Sequence, residues 1–203
     1  MALKKRKCKV CKTEFKQTRP LQTVCSWTCA TQFAKKKEQE KRKAETQRMK
    51  EDLKTYGDWL RNLQVLVNRI VRVIDYGSPC MSCGKVGGKA QAGHYHSVGS
   101  NPQLRFHFMN IWLQDYRCNV ELSANIPGYN KGLFDSFGKE TKEFIEFGLT
   151  ERYQSNKWQL YEIKDAIKEC KKILKELSKD KIYTIEERYT LRNEFNKRLG
   201  LYK

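Results

Sequence analysis

Three cysteines and all three histidines of the chain lie in one stretch, residues 76–135. Cys80 and Cys83 have the spacing of a zinc knuckle, which needs two further ligands, and Cys118 supplies one of them. A second Cys-x2-Cys pair would place its first cysteine at position 115, where the chain has Asp115. Because a carboxylate can also ligate zinc, we predict a site of three cysteines and Asp115. The alternative is that Asp115 caps a helix that begins near Cys118.

The residues that lie between these zinc ligands or next to them have side chains that suit hydrolysis of a phosphodiester. That reaction needs a base that activates water and a divalent cation that stabilises charge at the phosphate. His94 is the predicted general base, because an imidazole titrates near neutral pH. Asn119 is predicted to bind Mg2+ or Mn2+ through its carbonyl oxygen. Asn110 is predicted to brace the loop and orient the histidine.

The chain between the zinc ligands must leave the metal and return to it. We predict a two-stranded ribbon formed by residues 91–96 and 104–108, with a helix starting at the last cysteine. This is a small α+β fold of the ββα-metal (His-Asn-His) type. His96 would share a strand face with His94 and is a second candidate near the phosphate. His107 follows an aromatic residue and is predicted to be a packing or surface residue.

A second group of cysteines lies at the start of the chain. Cys8 and Cys11 are separated by 13 residues from Cys25 and Cys29. Two such pairs predict a structural zinc site. Four thiolates fill its coordination positions and leave none open for another ligand. Many lysines and arginines surround it, so the element could contact phosphate. The alternative is a zinc-stapled element that makes no DNA contact.

The charge of the chain points to a polyanionic partner. The formal net charge is +18, and residues 1–75 carry 20 Lys/Arg against 8 Asp/Glu. Clustered positive charge of this size is typical of nucleic-acid binding, although a lysine-rich surface can also serve solubility alone. The predicted DNA-binding residues are Lys35, Lys36, Lys37, Arg105 and Lys131. No signal peptide is expected, and no apolar stretch is long enough to cross a membrane.

Composition divides the chain into four segments. They are an N-terminal zinc element (1–33), a basic linker helix (34–75), a zinc-framed core (76–135) and a helical region (136–203). The linker helix is predicted to bury an apolar face from Trp59 to Ile74, either inside the chain or in a dimer interface. In the last segment, Thr184 and Glu187 form a capping-box pattern, which predicts a final helix of about 15 residues.

Together these motifs resemble the NinG family of lambdoid phages. The resemblance runs through Cys8-Lys-Val-Cys-Lys, Arg19-Pro-Leu-Gln, Val24-Cys-Ser, Cys80-Met-Ser-Cys-Gly, Ala92-Gly-His-Tyr, Ser97-Val-Gly, Leu104-Arg-Phe, Asn110, Cys118-Asn and Leu122-Ser-Ala-Asn125. It implies an endonuclease for branched recombination DNA, such as Holliday junctions and D-loops, with two structural zinc ions and a catalytic Mg2+ or Mn2+. It also makes a homodimer plausible and implies action in the cytoplasm of the bacterial host.

The sequence departs from related nucleases at one catalytic position. Many His-Asn-His enzymes have an acidic metal ligand just before the base, where this chain has Gly93. The catalytic cation would then be held by Asn119 with Asn125 or His96, together with water and phosphate. No small-molecule substrate or membrane partner is expected. The alternative functions are a non-catalytic zinc-containing DNA-binding recombination accessory protein and an RNA-processing protein.

Overall fold

The computed structural model describes residues 5–153, 157–178 and 181–201. The chain divides into two compact units, one ending at Lys54 and the other beginning at Thr55. This boundary interrupts the segment 34–75, which therefore contains two helices and not one linker helix. The second helix starts at Thr55, whose hydroxyl accepts a hydrogen bond from the Asp58 backbone N–H while the Asp58 carboxylate accepts one from the Thr55 N–H. This reciprocal pair starts a new helix where the sequence pattern alone continued the old one.

The first unit contains a small hairpin and a long helix. Strands β1 (Lys5–Lys7) and β2 (Glu14–Lys16) pair antiparallel, and helix α1 spans Trp27–Asp52. Ser26 caps α1 by accepting a hydrogen bond from the Cys29 backbone N–H. Cys29 is the buried residue of α1, and from Ala34 to Asp52 the helix is mostly polar and every residue is exposed. A helix of this kind gains little from packing and leaves its charges available to solvent or to a partner.

The second unit is built from a two-stranded sheet and five α-helices among its described residues. In chain order these are α2 (Tyr56–Ile74), β3 (Ala90–His94), β4 (Ile111–Asp115), α3 (Ile126–Glu143), α4 (Leu149–Arg152), α5 (Leu160–Glu176) and α6 (Ile185–Arg198). Turns of 3-10 helix lie at Pro102–Leu104 and Phe108–Asn110, and turns of π-helix at Arg117–Glu121 and Phe144–Gly148. The predicted α+β class is confirmed.

The hairpin pairs β3 with β4 and not with residues 104–108. In the antiparallel register Gly93 faces Trp112 and His94 faces Ile111. The first predicted strand, 91–96, overlaps β3, but the second prediction was wrong. Residues 104–108 form a loop whose apolar side chains are buried in the core. The β-branched and aromatic residues at the start of β4 favour the extended strand instead.

The apolar face of α2 is used within the chain. Leu63, Val67 and Ile70 are fully buried and belong to the same core cluster as Ile163 and Ile167 of α5. The intramolecular alternative therefore holds for this face, and it does not supply a dimer interface. This packing fixes the helical layer beside the hairpin, which α2 also contacts.

A buried ion pair ties the C-terminal helix to the hairpin. The Arg192 guanidinium donates to Asp75 Oδ2 at 2.6 Å and lies 3.6 Å from the centre of the Trp112 ring. It also donates to the backbone carbonyl of Ile111 at 3.3 Å. Asp75 Oδ2 in turn accepts a hydrogen bond from the Leu113 backbone N–H at 3.0 Å. The end of α2, strand β4 and helix α6 are thus joined at one charged group.

The predicted capping box at the last helix is confirmed. Thr184 and Glu187 make both reciprocal hydrogen bonds, and α6 has 14 residues. Across residues 5–153, 157–178 and 181–201, no helix combines the length and the apolar character that a membrane crossing needs.

Candidate functional site

The four N-terminal cysteines converge on one point. The sulfur atoms of Cys8, Cys11, Cys25 and Cys29 all lie within 4.8 Å of one another. The Sγ atoms of Cys11 and Cys25 are 3.4 Å apart, and those of Cys25 and Cys29 are 3.6 Å apart. A tetrahedral zinc ion with Zn–S bonds of about 2.3 Å separates its sulfurs by about 3.8 Å. The group therefore fits zinc, as the sequence predicted.

Local backbone geometry prepares this group for a cation. Lys12 adopts a left-handed conformation with φ of 64°, and its N–H bonds the Cys8 carbonyl to close the knuckle turn. Burial opposes ionisation of Cys8, but backbone N–H groups around its sulfur, including that of Val10, outweigh it and lower the pKa of Cys8 to about 6. A thiolate is the form that binds zinc.

The second cysteine group joins Cys80, Cys83 and Cys118, whose sulfur atoms also lie within 4.8 Å of one another. Cys80 and Cys83 lie on a tight turn, in which the Gly84 N–H bonds the Cys80 carbonyl at 2.8 Å. Cys118 lies on the π-helical turn that follows β4. Cysteine sulfurs at this spacing could hold zinc. The three predicted cysteine ligands are brought together by the segments before β3 and after β4.

Asp115 is not part of this group. Its Oδ1 accepts a hydrogen bond from the Arg117 backbone N–H at 2.9 Å, and its other oxygen lies against Gly88. Within the described ranges no fourth Cys, His, Asp or Glu joins the three cysteines. The observed contacts match the capping alternative, because a carboxylate at the start of a helical turn satisfies an N–H that the helix leaves open.

His94 is the last residue of β3 and its ring is held by the backbone. Its Nε2 lies 2.9 Å from the carbonyl oxygen of Arg105. A carbonyl only accepts hydrogen bonds, so Nε2 carries the proton and Nδ1 keeps its lone pair. Burial and, secondarily, the positive charge of Arg105 lower the pKa of His94 below its usual value, although the hydrogen bond opposes this. The imidazole is therefore neutral at pH 7 and its Nδ1 can accept a proton.

A steric contact explains why the residue before His94 is a glycine. A Cβ at Gly93 would lie 1.8 Å from Oε1 of Gln114 on the paired strand. Gln114 donates from Nε2 to the Ser82 hydroxyl at 2.5 Å and to the Ala124 carbonyl at 2.6 Å. Its side chain joins the cysteine turn to the segment after Cys118. A side chain at position 93 would therefore overlap the Gln114 amide.

Asn110 braces the loop that follows β3. Its amide accepts from the His96 backbone N–H at 2.7 Å and donates to the carbonyls of His96 and Leu104, each at 3.1 Å. Asn110 is fully buried, so it positions the loop and does not face solvent. It contacts the backbone of His96 and not the ring of His94.

The other two histidines have different surroundings. The ring of His96 lies with Nε2 2.7 Å from the Ile145 carbonyl, so it is tied to the second core cluster. His107 is 1% exposed and packs on Tyr153 with ring centres 4.9 Å apart. Burial lowers the pKa of His107 to about 3. His107 is a neutral packing residue.

Asn119 lies half-buried on the π-helical turn, which packs against both strands of the hairpin. Its backbone carbonyl accepts from the Ala124 N–H at 3.2 Å. Three successive residues, Ser123, Ala124 and Asn125, then adopt left-handed conformations with φ of 47°, 71° and 45°. This conformation is costly for residues other than glycine and recurs at functional sites. It turns the chain back so that Asn125 Nδ2 lies 3.8 Å from Cys118 Sγ.

Arg105 is the predicted DNA-binding residue nearest the base. Its Nε donates to Gln64 Oε1 at 3.1 Å and its guanidinium lies 5.4 Å from the centre of the Phe106 ring. In the part of the chain that the structure describes, its two terminal nitrogens have no protein acceptor. These two nitrogens could donate to an anionic ligand.

The predicted lysines belong to different units of the chain. Lys131 is exposed on α3 and pairs with Asp135 at 2.5 Å. Lys35, Lys36 and Lys37 are exposed on α1, in the other unit. None of these four side chains is buried, so all remain open to solvent.

The sequence patterns did not identify the buried polar residues that support this site. Gln114 and the Asp75–Arg192 pair are fully or almost fully buried. A signal for Gln114 was present, because it falls on the same face of β4 as the buried Trp112, two residues away. A polar residue on an apolar strand face marks a buried hydrogen-bonding role.

Comparison with known proteins gives the family. The family model described as Bacteriophage Lambda NinG protein matches residues 1–180. Protein ninG of Escherichia phage 933W is 30% identical over 188 residues, which cover 83% of this chain and 88% of that protein. Protein ninG of Escherichia phage lambda is 33% identical over 126 residues, covering 62% and 60% respectively. No solved structure matches significantly. The chain belongs to the NinG family of bacteriophage proteins.

Proposed function

We propose that this protein is a metal-dependent endonuclease of the His-Asn-His type, similar to the Rap recombination endonuclease, that cleaves branched DNA in the bacterial host cytoplasm. The observation that carries the proposal is the His94 ring. Its Nε2 is fixed by the Arg105 carbonyl at 2.9 Å, and its Nδ1 is left as a proton acceptor. This ring stands on a hairpin whose next turn carries Asn119 beside a cysteine group.

In the proposed mechanism His94 acts as general base. Nδ1 takes a proton from the water that attacks the phosphorus, while the P–O bond to one deoxyribose oxygen breaks and that oxygen leaves with a proton from solvent; the Arg105 carbonyl holds the His94 ring as it becomes charged. The terminal nitrogens of Arg105 would bind a non-bridging phosphate oxygen in two-point contact. Asn110 keeps both groups in place through the loop that it braces.

A hard divalent cation, Mg2+ or Mn2+, would stabilise the negative charge that develops on the phosphate. Asn119 would hold it through the amide oxygen, and water and phosphate would fill the other positions. Gly93 offers no carboxylate, since Gln114 fills that space. A site with few protein ligands predicts weak binding of the cation without DNA.

The proposed substrate class rests on the sequence resemblance and on the charge of the chain. A net charge of +18 suits a duplex with several phosphate contacts, and the exposed lysines of α1 would track the backbone. We propose branched recombination intermediates, including Holliday junctions, as substrates. Two equivalent strands in a four-way junction favour a homodimer as the active species. Its interface would use a surface other than the α2 face, which is buried inside the chain.

The proposal is tested by incubating wild type and His94→Ala with a labelled four-way junction and Mg2+ or Mn2+. A linear duplex of the same sequence is the substrate control, and a gel shift measures binding separately. We expect wild type to cut the junction, and His94→Ala to bind it but lose at least about a hundredfold in rate. If wild type binds the junction and cuts nothing with any divalent cation, the non-catalytic accessory protein is correct. Stronger competition by structured RNA would favour the RNA-processing alternative.

A further inference from the structure

The second cysteine group has three thiolates, whereas a closed structural zinc site has four ligands. Asp115, which the sequence offered as the fourth ligand, accepts the Arg117 N–H at Oδ1, and neither of its oxygens lies within 4.8 Å of all three sulfurs. A different side chain therefore has to complete the site, or water does.

Asn125 is placed to do so. Its terminal amide nitrogen lies 3.8 Å from Cys118 Sγ. In a tetrahedral zinc site with one oxygen ligand, the sulfur and the oxygen are about 3.6 Å apart. The two ends of a side-chain amide are assigned from hydrogen bonding, so a half-turn about the last bond would bring Oδ1 to the same place. Oδ1 would then take the position from which Nδ2 now donates a hydrogen bond to Cys118 Sγ.

The surroundings of Asn125 favour this use of its side chain. It stands at the N-cap of α3, where an asparagine side chain normally caps the helix, yet it makes no capping hydrogen bond. Its φ of 45° ends the left-handed turn that directs the side chain toward Cys118. Gly128 leaves room for it and for the Ser82 backbone, because a Cβ there would lie 2.2 Å from the Ser82 carbonyl oxygen and 2.7 Å from Asn125 Nδ2.

Neighbouring side chains hold that turn in place. The Ala124 carbonyl accepts hydrogen bonds from both the Gln114 amide at 2.6 Å and the Ser82 hydroxyl at 3.1 Å. Ser82 lies between Cys80 and Cys83 on the cysteine turn. The strained backbone before Asn125 is thus tied directly to the turn that carries two of the sulfurs.

We propose that Asn125 is the fourth zinc ligand of the Cys80–Cys83–Cys118 site, through its amide oxygen. This assigns Asn125 to the structural metal and leaves the proposed catalytic cation to Asn119. The inference does not rest on nuclease activity, because metal binding is measured without DNA.

The test replaces zinc with cobalt(II) in the full-length protein and compares absorption spectra, which report the number of thiolates on the ion. We expect Asn125→Cys to gain thiolate-to-cobalt absorption over wild type. Asn125→Gly, which accepts the left-handed backbone but removes the ligand, should weaken zinc binding at one of two sites by about tenfold or more. Asn125→Asp, which restores an oxygen, should recover most of that affinity.

Asp115→Ala is the matched control and should leave the cobalt spectrum and zinc affinity unchanged. The proposal is overturned if Asp115→Ala reproduces the loss while Asn125→Gly binds like wild type. It is also overturned if Asn125→Cys folds, as judged by circular dichroism, but shows no added thiolate absorption. None of these readouts requires catalysis, so a failure here leaves the nuclease proposal standing, and the reverse is also true.

Discussion

The His94 ring and the Arg105 backbone are joined by a hydrogen bond of 2.9 Å between Nε2 and the carbonyl oxygen. This bond decides which nitrogen of the ring can act as a base. The Arg105 guanidinium is close enough to lower the pKa of His94, and its two terminal nitrogens have no acceptor among the residues that the structure describes. The residue that orients the base is thus the residue proposed to hold the phosphate.

The pKa of His94 predicts the pH dependence of cleavage. Burial, with a smaller effect of the Arg105 charge, lowers the pKa below the usual 6.5, so the neutral form prevails at pH 7. Where His94 alone limits the rate, we expect kcat/KM for junction cleavage to be constant from neutral pH upward. Below the His94 pKa, kcat/KM should fall tenfold per pH unit. A rate that instead rises on acidification would assign the base to another group. Junction affinity measured over the same range separates binding from chemistry.

Removing the Arg105 side chain tests the phosphate contact. Arg105→Ala should lower kcat/KM by about tenfold to a hundredfold, and Arg105→Lys should recover little because it lacks the two-point geometry. The His94 orientation should persist, since it depends on the backbone of residue 105. Gln64→Ala, which removes only the Nε partner, serves as the control and should have the smaller effect. Equal activity of Arg105→Ala and wild type would exclude the contact.

The close approach of Gly93 and Gln114 predicts that substitutions at the two positions change the stability of the protein non-additively. Gly93→Ala should destabilise the protein by about 1–3 kcal/mol, because its Cβ would overlap the Gln114 side chain. Shortening Gln114 to Ala removes the overlap but also its two hydrogen bonds. We expect the double variant to lose less stability than the two single variants together, as measured by urea unfolding. Additive losses would show that the two side chains do not meet.

The buried ion pair between Asp75 and Arg192 predicts a large stability effect. Asp75→Ala should cost about 3–5 kcal/mol, because it leaves the buried charges of Arg192 and Arg188 without their carboxylate. Replacing both Asp75 and Arg192 by apolar residues of similar volume should cost much less. Chemical denaturation of these two variants and of wild type measures both values. The exposed pair Lys131–Asp135 is the matched comparison, and Lys131→Ala should change stability by less than about 1 kcal/mol.

The exposed lysines of α1 predict salt-dependent DNA binding. Reversing the charges at Lys35, Lys36 and Lys37 should weaken junction binding and flatten the slope of log K against log salt concentration. A matched triple reversal at the exposed α5 residues Lys168, Lys171 and Lys175 makes the same change in net charge. If both triple variants flatten the slope equally, binding follows overall charge and the α1 lysines have no specific role.

The sequence by itself determined the parts of this protein that depend on local spacing. The two cysteine pairs at the N-terminus, the Cys80–Cys83 knuckle and the Thr184 capping box all involve residues within one or two turns of chain. The family was also readable from motifs, and the match over residues 1–180 confirms it. Such features need no knowledge of distant contacts, because the chain geometry alone brings the residues together.

Tertiary structure decided the features that join distant segments. β3 could have paired with 104–108 or with 111–115, and the burial of the apolar loop side chains in the core selected the second. Asp115 was chemically able to bind zinc, but the turn after β4 uses it as a cap. Asn125 reaches Cys118 only because three left-handed residues, held by Gln114 and Ser82, reverse the chain. These outcomes depend on competition between contacts far apart in sequence, which local patterns do not encode.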